Sequence, residues 1–328
     1  MKKIKIIIAL MLLASPVFAQ TEKTDLFAYI DGFEWTTTKH QHPFSDKGDY
    51  IVNGLQFAGY PCHATITKDP TRNRVMRITV EFDDKDAIKK ERAKAFSNRM
   101  DNILISHFGN PDSTKDDPDG ILSSNERVWY KEDYRVDFLH FYKEEDNIMC
   151  LLSIRGFDKN EPNFRKSFWG DSKSKVVSVE GQADKGYKSD IYYISDNVAG
   201  MPCNVMFSFT NGELSGGVYS FEQKHTNRND YIGEFNKLVS LLTKKYGEPS
   251  ENKPIWRNSL FKGDIEEYGF AISMGHLVYR AKWITPLTEI VLDLSGENSQ
   301  IDLYLIYTSS RLEAKRVEAE ENKDLIGL

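Results

Sequence analysis

Two stretches of this chain carry the same punctuation in the same order. Gly59-Tyr60-Pro61-Cys62 opens an alternating apolar run, and Gly200-Met201-Pro202-Cys203 opens a second. Each run is followed by another alternating run and then by a stretch with helical spacing. Those stretches end on matching stops, Phe108-Gly109-Asn110-Pro111 and Tyr246-Gly247-Glu248-Pro249. Pro61 to Pro111 spans 50 residues and Pro202 to Pro249 spans 47. Self-similarity at a long period constrains architecture more than local propensity does, because each copy must bury its apolar face in the same way. The sequence therefore predicts an α+β protein of two tandem related units, each an antiparallel sheet packed on one long helix.

Periodicity fills in the units. Residues 63–67 and 75–82 alternate around a turn-rich connection and read as a hairpin, with residues 55–60 as a lead-in. Residues 87–108 read as a helix, since Ala95, Phe96, Met100, Ile103, Leu104 and His107 recur at three- and four-residue spacing. Gly109 and Pro111 end it. Residues 128–130, 136–142 and 148–154 read as strands. In the second unit, residues 203–209 and 214–221 flank Asn211-Gly212, a strong hairpin signal. Residues 229–246 read as the second long helix, and 191–194, 270–274, 277–283, 288–294 and 301–307 as strands. Trp129 stands 7 residues before Val136, and Trp283 stands 7 before Ile290. The expected plan is a signal peptide at 1–19, a first α+β unit with its lead-in at 20–157, a second unit at 163–310 and a charged tail at 311–328. A polar linker at 156–163 joins the units.

Compartment follows from the start of the chain. Lys2, Lys3 and Lys5 precede an apolar run at 6–13, and Val17 and Ala19 supply small residues before a cleavage site. The run is too short for a membrane span, and no later stretch is long and apolar enough for one. The expected mature chain is exported, periplasmic or secreted, with no integral membrane segment. Losing three lysines takes the net charge from −6 to −9. An acidic chain without a basic stripe speaks against nucleic acid, whose binding needs clustered Lys and Arg. Export permits disulfides. Of the three cysteines, Cys62, Cys150 and Cys203, the plain reading is buried thiols acting as small hydrophobes. A Cys62–Cys150 bridge within the first unit is the alternative.

Motifs that could carry chemistry are incomplete. Residues 115–126 place Asp117, Asp119, Gly120 and Glu126 at calcium-loop positions, but Lys115 falls where the first carboxylate belongs. An acidic turn is the simpler reading. His40 and His42, near Asp46 and Asp49, lack a further metal ligand. Ser172-Lys173-Ser174-Lys175 matches a serine–x–x–lysine pattern without its partner motifs, and Ser172 suits a helix cap. No catalytic residue, metal ligand or cofactor is therefore assigned. Phe33, Trp35, Phe168, Trp169, Trp256 and Phe261 lie in lead-ins or loops rather than in alternating strands. They either pack on their own unit or wall a partner or ligand surface.

Phe168-Trp169-Gly170-Asp171-Ser172, Lys245-Tyr246-Gly247-Glu248-Pro249, Trp283 with Thr285 and Thr288, and the closing Gly327-Leu328 form a set. That set resembles a recurrent pattern in uncharacterised exported bacterial proteins, covering residues 163–328. Phe-Trp-Gly-Asp-Ser also faintly resembles the helix-opening motif of β-lactamase-inhibitor-like and outer-membrane assembly lipoprotein domains. That second likeness implies short helices on an antiparallel sheet and binding to protein. The present chain departs from it in its long mid-unit helices and in lacking a lipid-attachment cysteine, so no functional residue carries over. The leading expectation is a non-catalytic exported protein that binds an envelope or extracellular protein. The alternatives are a small-ligand or glycan-binding module with its site between the two units, and a hydrolase whose site no motif reveals.

Overall fold

Alternating strands that bury one face need a partner layer, and here two separate sheets each find one. The computed structural model describes residues 24–31, 33, 49–68, 75–82, 93–117, 123–142, 148–181 and 191–313. The signal-peptide, Trp35 and tail readings lie outside these residues. The chain opens with β1 (Thr24–Asp25), α1 (Leu26–Asp31), β2 (Asp49–Phe57), β3 (Tyr60–Lys68) and β4 (Val75–Phe82). Next come α2 (Ala93–Phe108), β5 (Ser113–Asp117), β6 (Ser123–Tyr130), β7 (Tyr134–Tyr142) and β8 (Ile148–Gly156). The second half holds α3 (Lys173–Glu180), β9 (Ile191–Val198), β10 (Met201–Thr210), β11 (Glu213–Phe221) and α4 (Asp230–Tyr246). It continues with β12 (Glu251–Trp256), a 3-10 turn (Ile265–Glu267), α5 (Tyr268–Ser273), β13 (Leu277–Ile284), β14 (Thr288–Glu297) and β15 (Gln300–Ser309). The protein is thus α+β, with an eight-stranded and a seven-stranded sheet. Among the described residues no helix is long and apolar enough to cross a membrane.

Strand order is the same in both sheets. The first runs β1-β2-β3-β4-β8-β7-β6-β5 and the second β12-β13-β14-β15-β11-β10-β9. Without β1, both follow the order first-second-third-seventh-sixth-fifth-fourth, with the long helix entered after the third strand. All named pairings are antiparallel except β1 with β2. Register agrees too: Cys62 faces Phe82 and Cys203 faces Phe221. Trp129 faces Val136, which faces Ile154; Trp283 faces Ile290, which faces Tyr307.

Local chemistry recurs at matching places. The β2–β3 turn holds Ala58 and Gly59 at φ 57° and 83°, and the β9–β10 turn holds Ala199 and Gly200 at 55° and 81°. Positive φ at both central residues gives a turn whose twist matches the flanking strands. A helix cation reaches each turn: Arg99 Nη2 donates to Ala58 O and Lys237 Nζ to Ala199 O, both at 2.7 Å. Trp129 Nε1 donates to Gly109 O at 2.8 Å, and Trp283 Nε1 to Gly247 O at 2.9 Å. Each indole thereby satisfies a carbonyl just past its helix end.

Each sheet has its own core. In the first, Phe96, Met100, Leu104 and Phe108 of α2 meet Ile66, Val80, Phe138 and Ile154, and α1 adds Leu26 and Ile30. In the second, Phe235, Leu238 and Leu242 of α4 meet Phe207, Trp283, Leu292 and Leu305. Full burial of such side chains contributes about 1.5–3 kcal/mol apiece.

Four readings need correction. Residues 270–273 belong to helix α5 and Met274 caps its end, rather than forming a strand; Ala271, Ile272 and Ser273 are buried on it. Within the lead-in at 55–60, residues 55–57 end a strand that starts at Asp49, and Tyr60 already opens β3. Residues 251–256 form an exposed edge strand that the periodicity did not indicate. Of the acidic turn read at 115–126, residues 115–117 lie in β5 and 123–126 in β6, while 118–122 lie outside the described residues. The proposed Cys62–Cys150 bridge also does not fit. β4 runs between β3 and β8, which sets the two cysteines two strand spacings apart, about 10 Å. A disulfide needs Cα atoms within about 7 Å.

Candidate functional site

The loop between the sheets carries the Phe-Trp-Gly-Asp-Ser motif, and each of its polar groups has a structural task. The Glu180 side chain is fully buried, and its carboxylate accepts from Arg165 Nε at 3.0 Å, Lys166 N at 2.8 Å and Ser167 Oγ at 3.0 Å. Asp171 Oδ2 accepts from Phe168 N at 2.9 Å, and Asn163 Oδ1 from Trp169 N at 2.9 Å. Ser172 caps α3, accepting from Lys175 N at 3.3 Å, as its sequence context predicts. Phe164 plunges into the second core against Phe207, Tyr219 and Tyr307. Trp169 stays half-buried, with its indole N–H fixed on Thr288 Oγ1 at 2.8 Å.

The other aromatic candidates separate. Phe33 packs on the first core, 5.9 Å from Tyr29. Trp256 meets Tyr268 edge-on at 5.1 Å, and Phe261 meets Phe270 at 5.4 Å. Phe168 is half-buried beside Trp169. Of the five candidates among the described residues, Trp169 alone lines either of the two clefts described next.

Both clefts lie where the two halves meet, and they share Phe157, Asn163 and Leu287 as walls. The larger, about 540 Å³, is lined by Trp169, Tyr130, Lys131, Glu132, Glu213 and Arg311 among others. That volume falls in the range of small-molecule sites. The smaller, about 140 Å³, is lined by Arg77, Arg155, Asp158, Glu161, Lys245 and the Thr285-Pro286-Leu287 turn.

Pairing across the first sheet explains the charge at this seam. Arg77 of β4 faces Arg155 of β8, which faces Arg135 of β7, which faces Tyr130 of β6. Asp137 serves two of these cations, at 2.6 Å from Arg135 and 2.9 Å from Arg155. Burial, ahead of the neighbouring charges, lowers the pKa of the Arg155 guanidinium. Burial likewise raises that of the Tyr130 phenol. Arg135 Nη1 donates to Tyr130 Oη at 3.2 Å and crosses to Pro286 O at 3.3 Å. Arg311 returns the contact from the second half, pairing with Asp112 at 3.3 Å over the Tyr130 ring. Sequence reading missed this row. Its arginines occupy ordinary outward strand positions, and only register brings them together.

At Cys150 and Cys203, burial works against nucleophilic chemistry. Burial raises the Cys150 pKa far above its usual value and pushes Cys203 up to about 11. Among the described residues, no group of three or more His, Cys, Asp or Glu side chains is placed to hold a metal. His40 and His42 lie outside them. No protein-family model and no curated protein matches this chain.

Proposed function

We propose that this chain is a non-catalytic binding protein built from two copies of one seven-stranded unit, with a small ligand seated in the seam between them. Duplication is supported by the shared strand order and by the recurring tryptophan and turn hydrogen bonds. The observation that carries the binding reading is the 540 Å³ cleft beside Trp169, whose ring is held by a fixed N–H bond rather than free to collapse. An aromatic wall with polar neighbours suits a polar small molecule or glycan. The targeting reading of residues 1–19 puts that binding outside the cytoplasm. Thermal melts of the purified chain against a glycan and metabolite panel test it. A ligand should raise Tm in the native chain and not in Trp169→Ala. No stabilisation by any member, or equal stabilisation of the variant, would count against the seam.

A protein partner is the second reading. The β12–β13 connection carries Leu260 and Ile265 at 71% and 69% exposure. Exposed aliphatic side chains on one excursion suit protein contact. Capture of an envelope protein by the native chain, and not by Leu260→Ser/Ile265→Ser, would favour it.

A further inference from the structure

We infer that the smaller seam cleft receives an anionic group of the ligand, a carboxylate or phosphate, between Arg77 and Arg155 of the first sheet and Lys245 of the second unit. The inference rests on the seam reading above and adds the ligand's charge.

Three arginines opposed across neighbouring strands repel one another, an arrangement sheets disfavour. Asp137 compensates Arg135 and Arg155 together, and no carboxylate pairs with Arg77 among the described residues. Arg77 is exposed into the cleft. Lys245 lines the same cleft from the last turn of α4, and its ammonium rests over the Tyr246 ring at 5.0 Å with no carboxylate partner among the described residues. Two cations with no carboxylate partner among the described residues thus come from different units to one cleft, in a chain of net charge −6. An anion between them offsets the repulsion, with a geometry guanidinium groups favour for carboxylate and phosphate.

Size and composition narrow the ligand. A cleft of about 140 Å³ takes one acidic group rather than a polymer. Its linker side carries Asp158 and Glu161, with Asp158 Oδ1 accepting from Asn160 N at 2.9 Å. Those carboxylates repel further negative charge and so deter a polyanion. The shared walls Phe157, Asn163 and Leu287 lead into the larger cleft, where Trp169 stands. The ligand class is a small acid with a polar body, such as an acidic sugar.

Isothermal titration of the full chain at fixed ionic strength tests this with glucuronate, glucose and inorganic phosphate as probes. Glucuronate should bind at least about tenfold tighter than glucose, and phosphate should compete with it. Arg77→Gln and Lys245→Gln should each weaken glucuronate about tenfold without lowering the Tm of the unliganded protein, since Arg77→Gln also relieves like-charge repulsion. Equal affinity for glucuronate and glucose, or an Arg77→Gln variant that binds glucuronate as the native chain does, would overturn the inference. If glucose and glucuronate bind alike and Trp169→Ala abolishes both, the anion site fails and the seam stands. Binding of none of the three probes overturns the anion site. The seam itself then falls only if the wider panel also fails to stabilise the chain.

Discussion

An imidazole occupies a place in the first core where a hydrocarbon would be expected. His140 is fully buried, stacked on Phe138 at 6.5 Å and tilted against Phe96 at 6.0 Å. Burial lowers its pKa from 6.5 to about 4, so the folded protein holds it neutral. The unfolded chain takes up the proton first as pH falls. Its stabilising contribution is therefore complete above pH 6.5 and is lost as pH drops from 6.5 through about 4. Between pH 7 and 4.5 the native chain should lose about 2–3 kcal/mol from this group, and His140→Leu should not show that loss. Urea unfolding at the two pH values measures the difference. Gly217 makes the opposite kind of demand. A Cβ there would lie 2.2 Å from the Phe164 ring, which Phe207, Tyr219 and Tyr307 already confine. Gly217→Ala should destabilise by about 1–3 kcal/mol, read as a lower urea midpoint at unchanged slope.

The elements most secure in sequence are those whose own residues decide them. The α4 stripe of Phe235, Leu238 and Leu242 and the Asn211-Gly212 turn, at φ 52° and 83°, stand as their spacing indicates. Elements decided by their surroundings were not visible. α5 has six residues, too few to show a helical period, and its contiguous Phe270-Ala271-Ile272 run suits a buried strand equally well. β12 is polar and carries Pro254, which only an edge strand accommodates. In β2, Gly54 at φ 78° and a bulge between Val52 and Leu55 break the alternation. The seam was hidden for a related reason, since no single strand records which arginine will lie beside it. The paired indoles give a test at this level. Trp129→Phe and Trp283→Phe each remove the donor from a carbonyl at a helix end, Gly109 and Gly247 respectively. Each should cost about 1–3 kcal/mol, and a large cost at one with none at the other would argue against equivalence.

Across the whole molecule, two cores form around two sheets, and among the described residues polar contacts join the halves at Arg135 to Pro286 and Arg311 to Asp112. Polar seams of this kind couple units weakly. Scanning calorimetry should resolve two transitions, with Gly217→Ala lowering one and His140→Leu altering the other. A single transition shifted by both would mean strong coupling. The account depends most on the claim that both halves share one strand order. Paired cysteines, introduced after Cys62, Cys150 and Cys203 are replaced by alanine, test it at equivalent cross-strand neighbours. Thr79→Cys with Ser153→Cys joins β4 to β8, and Val218→Cys with Ile306→Cys joins β11 to β15. Mild oxidation followed by peptide mapping should find both bridges, and none for Thr79→Cys with Thr114→Cys on the distant β5. Bridging in one half without the other, or a β4–β5 bridge, would contradict it.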